Sequence, residues 1–130
     1  MSSAEPNVEQ ADPWPAEWLR ATLSLSVLQI ISAGPTYGYA IAAALAEAGF
    51  GDIKGGTLYP LLGRLTTAEL VSENWQPGAG GPGRKYYEIT AAGRQQLRAQ
   101  ARQWHTFSSA VANHLRPSSG PLSRTDPTEG

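Results

Sequence analysis

Apolar residues recur along the chain in several rhythms, and each rhythm predicts a different element. Over residues 16–32, Trp18, Leu19, Leu23, Leu25, Val27, Leu28, Ile30 and Ile31 cover more than one face, as in a helix buried on most sides. Gly34 and Pro35 stop it, since a glycine suits the turn past a helix end and a proline cannot continue the helix. A second helix is predicted from near Tyr37 through Ile41, Ala42, Leu45 and Ala46 to a capping Gly49, with alanines that let helices approach closely. In a third, Leu58, Leu61, Leu62, Leu65 and Leu70 follow three- and four-residue steps, leaving Thr57, Tyr59, Gly63, Arg64 and Thr67 toward solvent. Thr57 is its expected N-cap, Pro60 falls in its first turn where a missing N–H costs nothing, and Glu69 is its approximate end.

Past Leu70 the pattern shortens to alternation. Residues 70–76, a run of glycine and proline over 77–83, and residues 84–90 with Tyr86, Tyr87 and Ile89 predict a β-hairpin with a long flexible tip. Thr90 then caps a last helix over 91–115, whose seam reads Leu97, Ala101, Trp104, Ser108, Val111 and Leu115 in a heptad register. Such a helix extends about 37 Å, more than a domain this small needs for its own core. It is therefore expected to pack on another chain through Leu97, Ala101, Trp104, Phe107, Val111 and Leu115.

The order helix, helix, helix, hairpin, helix predicts an α+β, mostly helical fold: a winged helix-turn-helix with a long C-terminal dimerisation helix. The third helix would enter a major groove and the hairpin would reach phosphates beside it. Residues 1–15 read as a disordered acidic tail, 16–90 as the DNA-binding domain, 91–116 as the dimerisation helix and 117–130 as a second disordered tail. A length of 130 residues suits one core and not two.

Net charge is −1, which looks wrong for a protein that must neutralise phosphates. The distribution changes that picture. Glu5, Glu9, Asp12 and Glu17 precede Leu19, while from Arg20 to Arg116 nine cations stand against five anions, a local charge of +4. An ordinary solvated surface is the plain alternative at this magnitude. There is no cysteine, and the stretch 19–31 is broken by Ser24, Ser26 and Gln29, too short and too polar for a membrane span. A cytoplasmic protein with no membrane partner is expected.

Enzyme chemistry finds little support. No nucleophile stands at motif spacing from a base, there is no phosphate loop, and the glycines gather at the hairpin tip. His105 and His114 lack neighbouring ligands at metal spacing, so neither a metal nor another cofactor is expected. Duplex DNA is the better partner. Arg84 and Lys85 follow the glycine-rich tip as a phosphate clamp, against hairpin solubilisation as the plain alternative. Lys54 and Arg64 can reach phosphate or a guanine edge, or remain solvated. Thr57 and Tyr59 open the third helix toward a groove, with a core role for Tyr59 as the other reading. Tyr37, Gly38 and Tyr39 open the second helix, whose N–H groups can bind phosphate, and one of the two tyrosines is expected in the core. A winged helix used only for protein contacts is the alternative function.

Three motifs carry a family resemblance: Tyr37-Gly38-Tyr39-Ala40-Ile41, then Gly56-Thr57-Leu58-Tyr59-Pro60-Leu61-Leu62-Gly63-Arg64-Leu65, then Gly83-Arg84-Lys85-Tyr86-Tyr87-Glu88-Ile89-Thr90 with Gly93. In this order and spacing they closely resemble the PadR family of transcriptional regulators, in its short form with one C-terminal helix, over residues 19–115. Two departures stand out: Ala40 where the family often has glutamate, and Glu69 where it usually has glycine. The resemblance implies a homodimer on an inverted-repeat operator, usually as a repressor. It also implies an effector site in which Trp104 stacks on a planar aromatic molecule, beside Ser108 and walled by Ala21, Ser24 and Leu25. The plain alternative is that Trp104 fills the dimer core.

Overall fold

The structure, a computed structural model, describes residues 14–78 and 81–117. In chain order the elements are α1 (Ala16–Ile31), β1 (Thr36–Tyr37), α2 (Gly38–Glu47), α3 (Gly55–Thr67), β2 (Val71–Gly78), β3 (Gly81–Ile89) and α4 (Ala91–Leu115). Of the described residues, those up to 99 form one compact unit and those from 100 a second. The tails expected over 1–13 and 118–130 lie outside the described residues.

The leucine rhythm of α3 is reproduced in its packing. Leu58, Leu61, Leu62 and Leu65 are buried against Leu23, Val27, Leu28 and Ile31 of α1 and Ile41 and Leu45 of α2, while Thr57, Tyr59, Gly63, Arg64 and Thr67 are exposed. Val71, Tyr87 and Ile89 close the core from the sheet side, and Leu97 closes it from the first part of α4. Burying a leucine or isoleucine side chain stabilises a fold by about 1.5–3 kcal/mol each, so this one cluster holds the helix-turn-helix together. α1 is less enclosed than its pattern suggests, for Trp18 is exposed. The nearby Trp14 does not belong to a free tail. Its indole N–H donates to the carbonyl of Gly49 at 2.8 Å, just past the end of α2, and its ring tilts against Trp18.

α3 begins one turn earlier than Thr57. Lys54 is its N-cap, with extended backbone and no side-chain cap, and its carbonyl accepts from the N–H groups of Thr57 and Leu58, both at 2.9 Å. Thr57 therefore stands inside the first turn and Pro60 in the second. Pro60 and Gly56 are exposed, so water can solvate the carbonyl that a proline leaves without an N–H donor, and the helix tolerates it.

Two helices end in the same hydrogen-bonded motif with different residues. At the end of α2, Phe50 N–H reaches the Leu45 carbonyl and Gly49 N–H reaches Ala46, with Gly49 at φ +99°. At the end of α3, Leu70 N–H reaches Leu65 and Glu69 N–H reaches Thr66, with Glu69 at φ +62°. Both are left-handed closures, which glycine adopts freely and a residue with a Cβ does not. Glu69, where the resemblance implies glycine, thus stands at a position where glycine has a conformational reason. Glu69→Gly is expected to stabilise the fold by about 1 kcal/mol, read as a raised urea midpoint. An unchanged or lowered midpoint would contradict this.

The sheet is antiparallel in the order β1-β3-β2. Register sets Val71 opposite Ile89, Glu73 opposite Tyr87 and Trp75 opposite Lys85, so these six residues share one face. The expected long tip is shorter, because pairing continues to Gly78 and Gly81 through an irregularity between Gln76 and Gly78. Pro77 sits within that irregularity on an edge strand, where a missing N–H is tolerated. β1 was not expected. It pairs Thr36 with Tyr87 and Tyr37 with Tyr86, and so ties the start of α2 to the hairpin. Thr90 caps α4 as expected: its Oγ1 accepts from Gly93 N–H at 2.9 Å and donates toward the carbonyls of Glu69 and Leu70.

Candidate nucleic-acid interface

β1 and the start of α2, the exposed side of α3, and the hairpin meet around one open cleft of about 440 Å³. Tyr37, Gly38 and Tyr39 border it from the start of α2, Tyr59 from α3, and Arg84 and Lys85 from β3. Three further residues border it that the sequence did not mark as DNA contacts: Trp75, Gly83 and Tyr87. The alternation of β2, which puts Val71, Glu73 and Trp75 on one side, is the signal that could have found Trp75. Lys54, Thr57 and Arg64 are exposed on and before α3 but do not line this cleft. Lys54 is paired with Asp52 at 2.6 Å.

The floor of the cleft is set by a glycine. A Cβ on Gly38 would run into the hydroxyl end of the Tyr59 ring, and a Cβ on Gly55 would sit 3.4 Å from the same ring. Tyr59 therefore lies across the first turn of α2. More than half of its surface stays exposed, so it is not a core residue. Neither Tyr37 nor Tyr39 is core either: Tyr37 is half-buried and Tyr39 is exposed, whereas the buried tyrosine is Tyr87. A short β1 keeps Tyr37 at the sheet edge, where pairing fixes it without enclosing it. Burial, and then the Glu73 carboxylate and Tyr59, raise the pKa of the Tyr87 hydroxyl, which stays a neutral donor.

The two hairpin cations are held differently. The Arg84 guanidinium lies 4.3 Å from the centre of the Tyr37 ring, which itself tilts against Tyr86 at 5.3 Å. Arg84 is exposed, and among the described residues it has no carboxylate partner. Lys85 is half-buried, with its ammonium 3.3 Å from Glu73 and 5.9 Å from the centre of the Trp75 ring. α2 begins with Tyr37 as N-cap and no side-chain cap, so its first-turn N–H groups have no side-chain acceptor. Aromatic faces, a stacked guanidinium and an uncapped helix start together suit a polyanion with exposed sugar and base surfaces.

Comparison with known proteins settles the family. The sequence model of the Transcriptional regulator PadR-like family matches residues 27–99. The chain belongs to the PadR-like family of transcriptional regulators. It resembles the crystal structure of a PadR family transcriptional regulator from Eggerthella lenta, with 38% identity, a TM-score of 0.71, and coverage of 79% of this chain and 89% of that one. A PadR-like transcriptional regulator from Bacillus cereus is 34% identical with a TM-score of 0.71, over 78% of this chain and 99% of that one. An uncharacterized protein of Lysinibacillus sphaericus is 30% identical over 88 residues, which cover 66% of this chain and 81% of that one. The four helices and small antiparallel sheet are thus the winged helix fold of PadR regulators, with β2 and β3 as the wing.

Placed in this family, the described residues include no helix long and apolar enough to cross a membrane and no group of three or more acidic, histidine or cysteine side chains that could hold a metal. Residues 100–117 carry a band of exposed apolar side chains: Trp104, Phe107, Val111 and Leu115, with Ala101 exposed and Ser108 half-buried. Trp104 and Phe107 tilt against each other at 5.8 Å. Leu97 is committed to the core of its own chain, so the exposed seam begins at Ala101. On α1, Ala21 is exposed, while Ser24 and Leu25 are half-buried, Leu25 packing against the core.

Proposed function

We infer that this PadR-like regulator is a cytoplasmic repressor that binds an inverted-repeat operator as a homodimer. The observation that carries this reading is the convergence of α3, the start of α2 and the wing on one cleft bordered by Arg84, Lys85 and tyrosines. In this reading α3 lies in a major groove with Thr57, Tyr59 and Arg64 toward the DNA, and Arg84 meets a phosphate. Lys54, Tyr37, Gly38 and Tyr39 lie along the adjoining backbone.

Dimerisation is supported by the band from Ala101 to Leu115, which exposes two aromatic and two aliphatic side chains over a few helical turns. Such a band gains free energy by being covered, and a second copy with the same band is self-complementary. A planar aromatic effector is proposed to stack on Trp104 near Ser108. Trp104 is 42% exposed, and its tilted contact with Phe107 leaves ring surface for stacking. Trp104→Ala is expected to abolish the quenching of tryptophan fluorescence by planar dyes while the dimer persists. Unchanged dye binding would remove the effector site from this residue.

The function is tested by gel shift against the DNA upstream of the chain's own gene, with a random duplex as control, and by light scattering of the free protein. A shift at the upstream duplex and a dimeric mass are expected. A monomeric mass at micromolar concentration would contradict the dimer. Arg84→Ala is expected to weaken upstream and random duplexes about equally and to lower the slope of affinity against salt by roughly one, as the loss of one phosphate contact does. A changed base preference at one position would instead make Arg84 a base reader.

A further inference from the structure

Trp75 is two-thirds exposed on an edge strand and contributes nothing to the core, yet the residues around it are arranged to hold it. Directly across the ladder stands Lys85, whose ammonium faces both the Trp75 ring and the Glu73 carboxylate. Gly83 lets the strands close beside it. A Cβ there would lie 2.8 Å from the Gln76 carbonyl and 3.4 Å from the Trp75 ring. Trp75 also borders the cleft that Tyr39, Tyr59 and Arg84 border.

We propose that Trp75 is a DNA-contacting residue of the wing, mounted by the Glu73–Lys85 pair, and that Glu73 occupies the Lys85 charge so that Arg84 is the wing cation left to meet a phosphate. The proposal rests on the DNA-binding reading above. Two physical points carry it. First, a large indole face held in water on a strand edge gains by covering the apolar side of a deoxyribose at the groove wall, a contact that releases no counterions and so does not depend on salt. Second, a phosphate that takes Lys85 must displace Glu73, which sits 3.3 Å away on the same face of the hairpin. That exchange replaces one ion pair by another and leaves an uncompensated carboxylate beside the DNA. Lys85 is therefore a positioning residue that braces the Trp75 ring through its cation–π contact. Arg84, stacked on Tyr37 and without a carboxylate partner among the described residues, is the cation free to neutralise a phosphate.

The test is duplex affinity of the full chain at a low and a moderate salt concentration. Trp75→Ala is expected to weaken binding by about tenfold at both, leaving the salt slope unchanged. Replacing the pair together, Glu73→Gln with Lys85→Met, removes no net charge. It is expected to leave the slope unchanged and to make a further Trp75→Ala nearly silent. Trp75→Phe keeps a ring in place, so it is expected to bind well while losing most of the DNA-induced change in tryptophan fluorescence. Wild-type affinity for Trp75→Ala, or a slope reduced by about one in the paired replacement, would overturn the proposal. Failure of the wild-type chain to bind any duplex would instead overturn the DNA-binding reading, and is seen before any variant is made.

Discussion

Replacing Gly93 with alanine is expected to destabilise the fold by about 3 kcal/mol, although the position is in a helix. Gly93 lies in the first turn of α4 and donates its N–H to the capping Thr90. A Cβ there would collide with the backbone carbonyl of Leu70 and come within 2.7 Å of Ile89 Cγ1. Neither neighbour can step aside. The Leu70 carbonyl also accepts from the N–H and the hydroxyl of Thr90, and Ile89 is buried in the core. In an unobstructed helix the same change stabilises by up to about 1 kcal/mol, so the sign itself is diagnostic. Thermal unfolding at fixed protein concentration is expected to show a midpoint lowered by roughly 10 °C or more. A raised midpoint would mean that α4 does not start against Leu70.

Gly38→Ala is expected to do the reverse: spare the fold and weaken DNA binding. The added Cβ would meet the hydroxyl end of Tyr59, which is exposed and able to swing away. Once displaced, Tyr59 no longer lies across the start of α2, and the methyl group occupies the floor of the cleft beside Tyr37 and Tyr39. Affinity for the upstream duplex is expected to fall more than tenfold, about the loss of one good groove contact, while the unfolding midpoint changes little. Fluorescence anisotropy with thermal unfolding on the same sample reads both. Unchanged affinity would place the DNA elsewhere than on this cleft.

These two glycines show what a sequence reveals and what it withholds. Both stand in motifs that mark the family, yet the reason for each is a contact across the fold: Gly38 with Tyr59 and Gly93 with Leu70. The helices were legible because leucine spacing states directly which side is buried, and α3 buries Leu58, Leu61, Leu62 and Leu65 as its rhythm requires. The start of α3 was not. Thr57 is a good cap by composition, but Lys54 opens the helix through its backbone alone, which leaves no side-chain signature. β1 spans two residues, too few for any period, and exists because Thr36 and Tyr37 find partners in Tyr87 and Tyr86. The proline and glycine run read as a long tip, but an irregularity in the ladder absorbs Pro77 and lets pairing continue.

The cleft was half legible for the same reason. Tyr37, Gly38, Tyr39, Tyr59, Arg84 and Lys85 were expected at the DNA, and the structure brings them to one place. In the sequence Arg84 and Lys85 stand as one adjacent basic pair. Successive residues of a strand face opposite ways, so Arg84 finds Tyr37 and Lys85 finds Glu73 and Trp75. Glu73 and Trp75 were invisible as site residues because their meaning depends on what stands across the ladder.

The central claim, that this cleft is the DNA-facing surface of a dimeric PadR-like regulator, is tested most directly by the salt dependence and stoichiometry of binding to the upstream duplex. Affinity is expected to fall steeply and log-linearly with salt, at two chains per site, with a slope that Arg84→Ala lowers by roughly one. A folded dimer that binds no duplex at low salt would contradict the account and leave the winged helix as a protein-binding module.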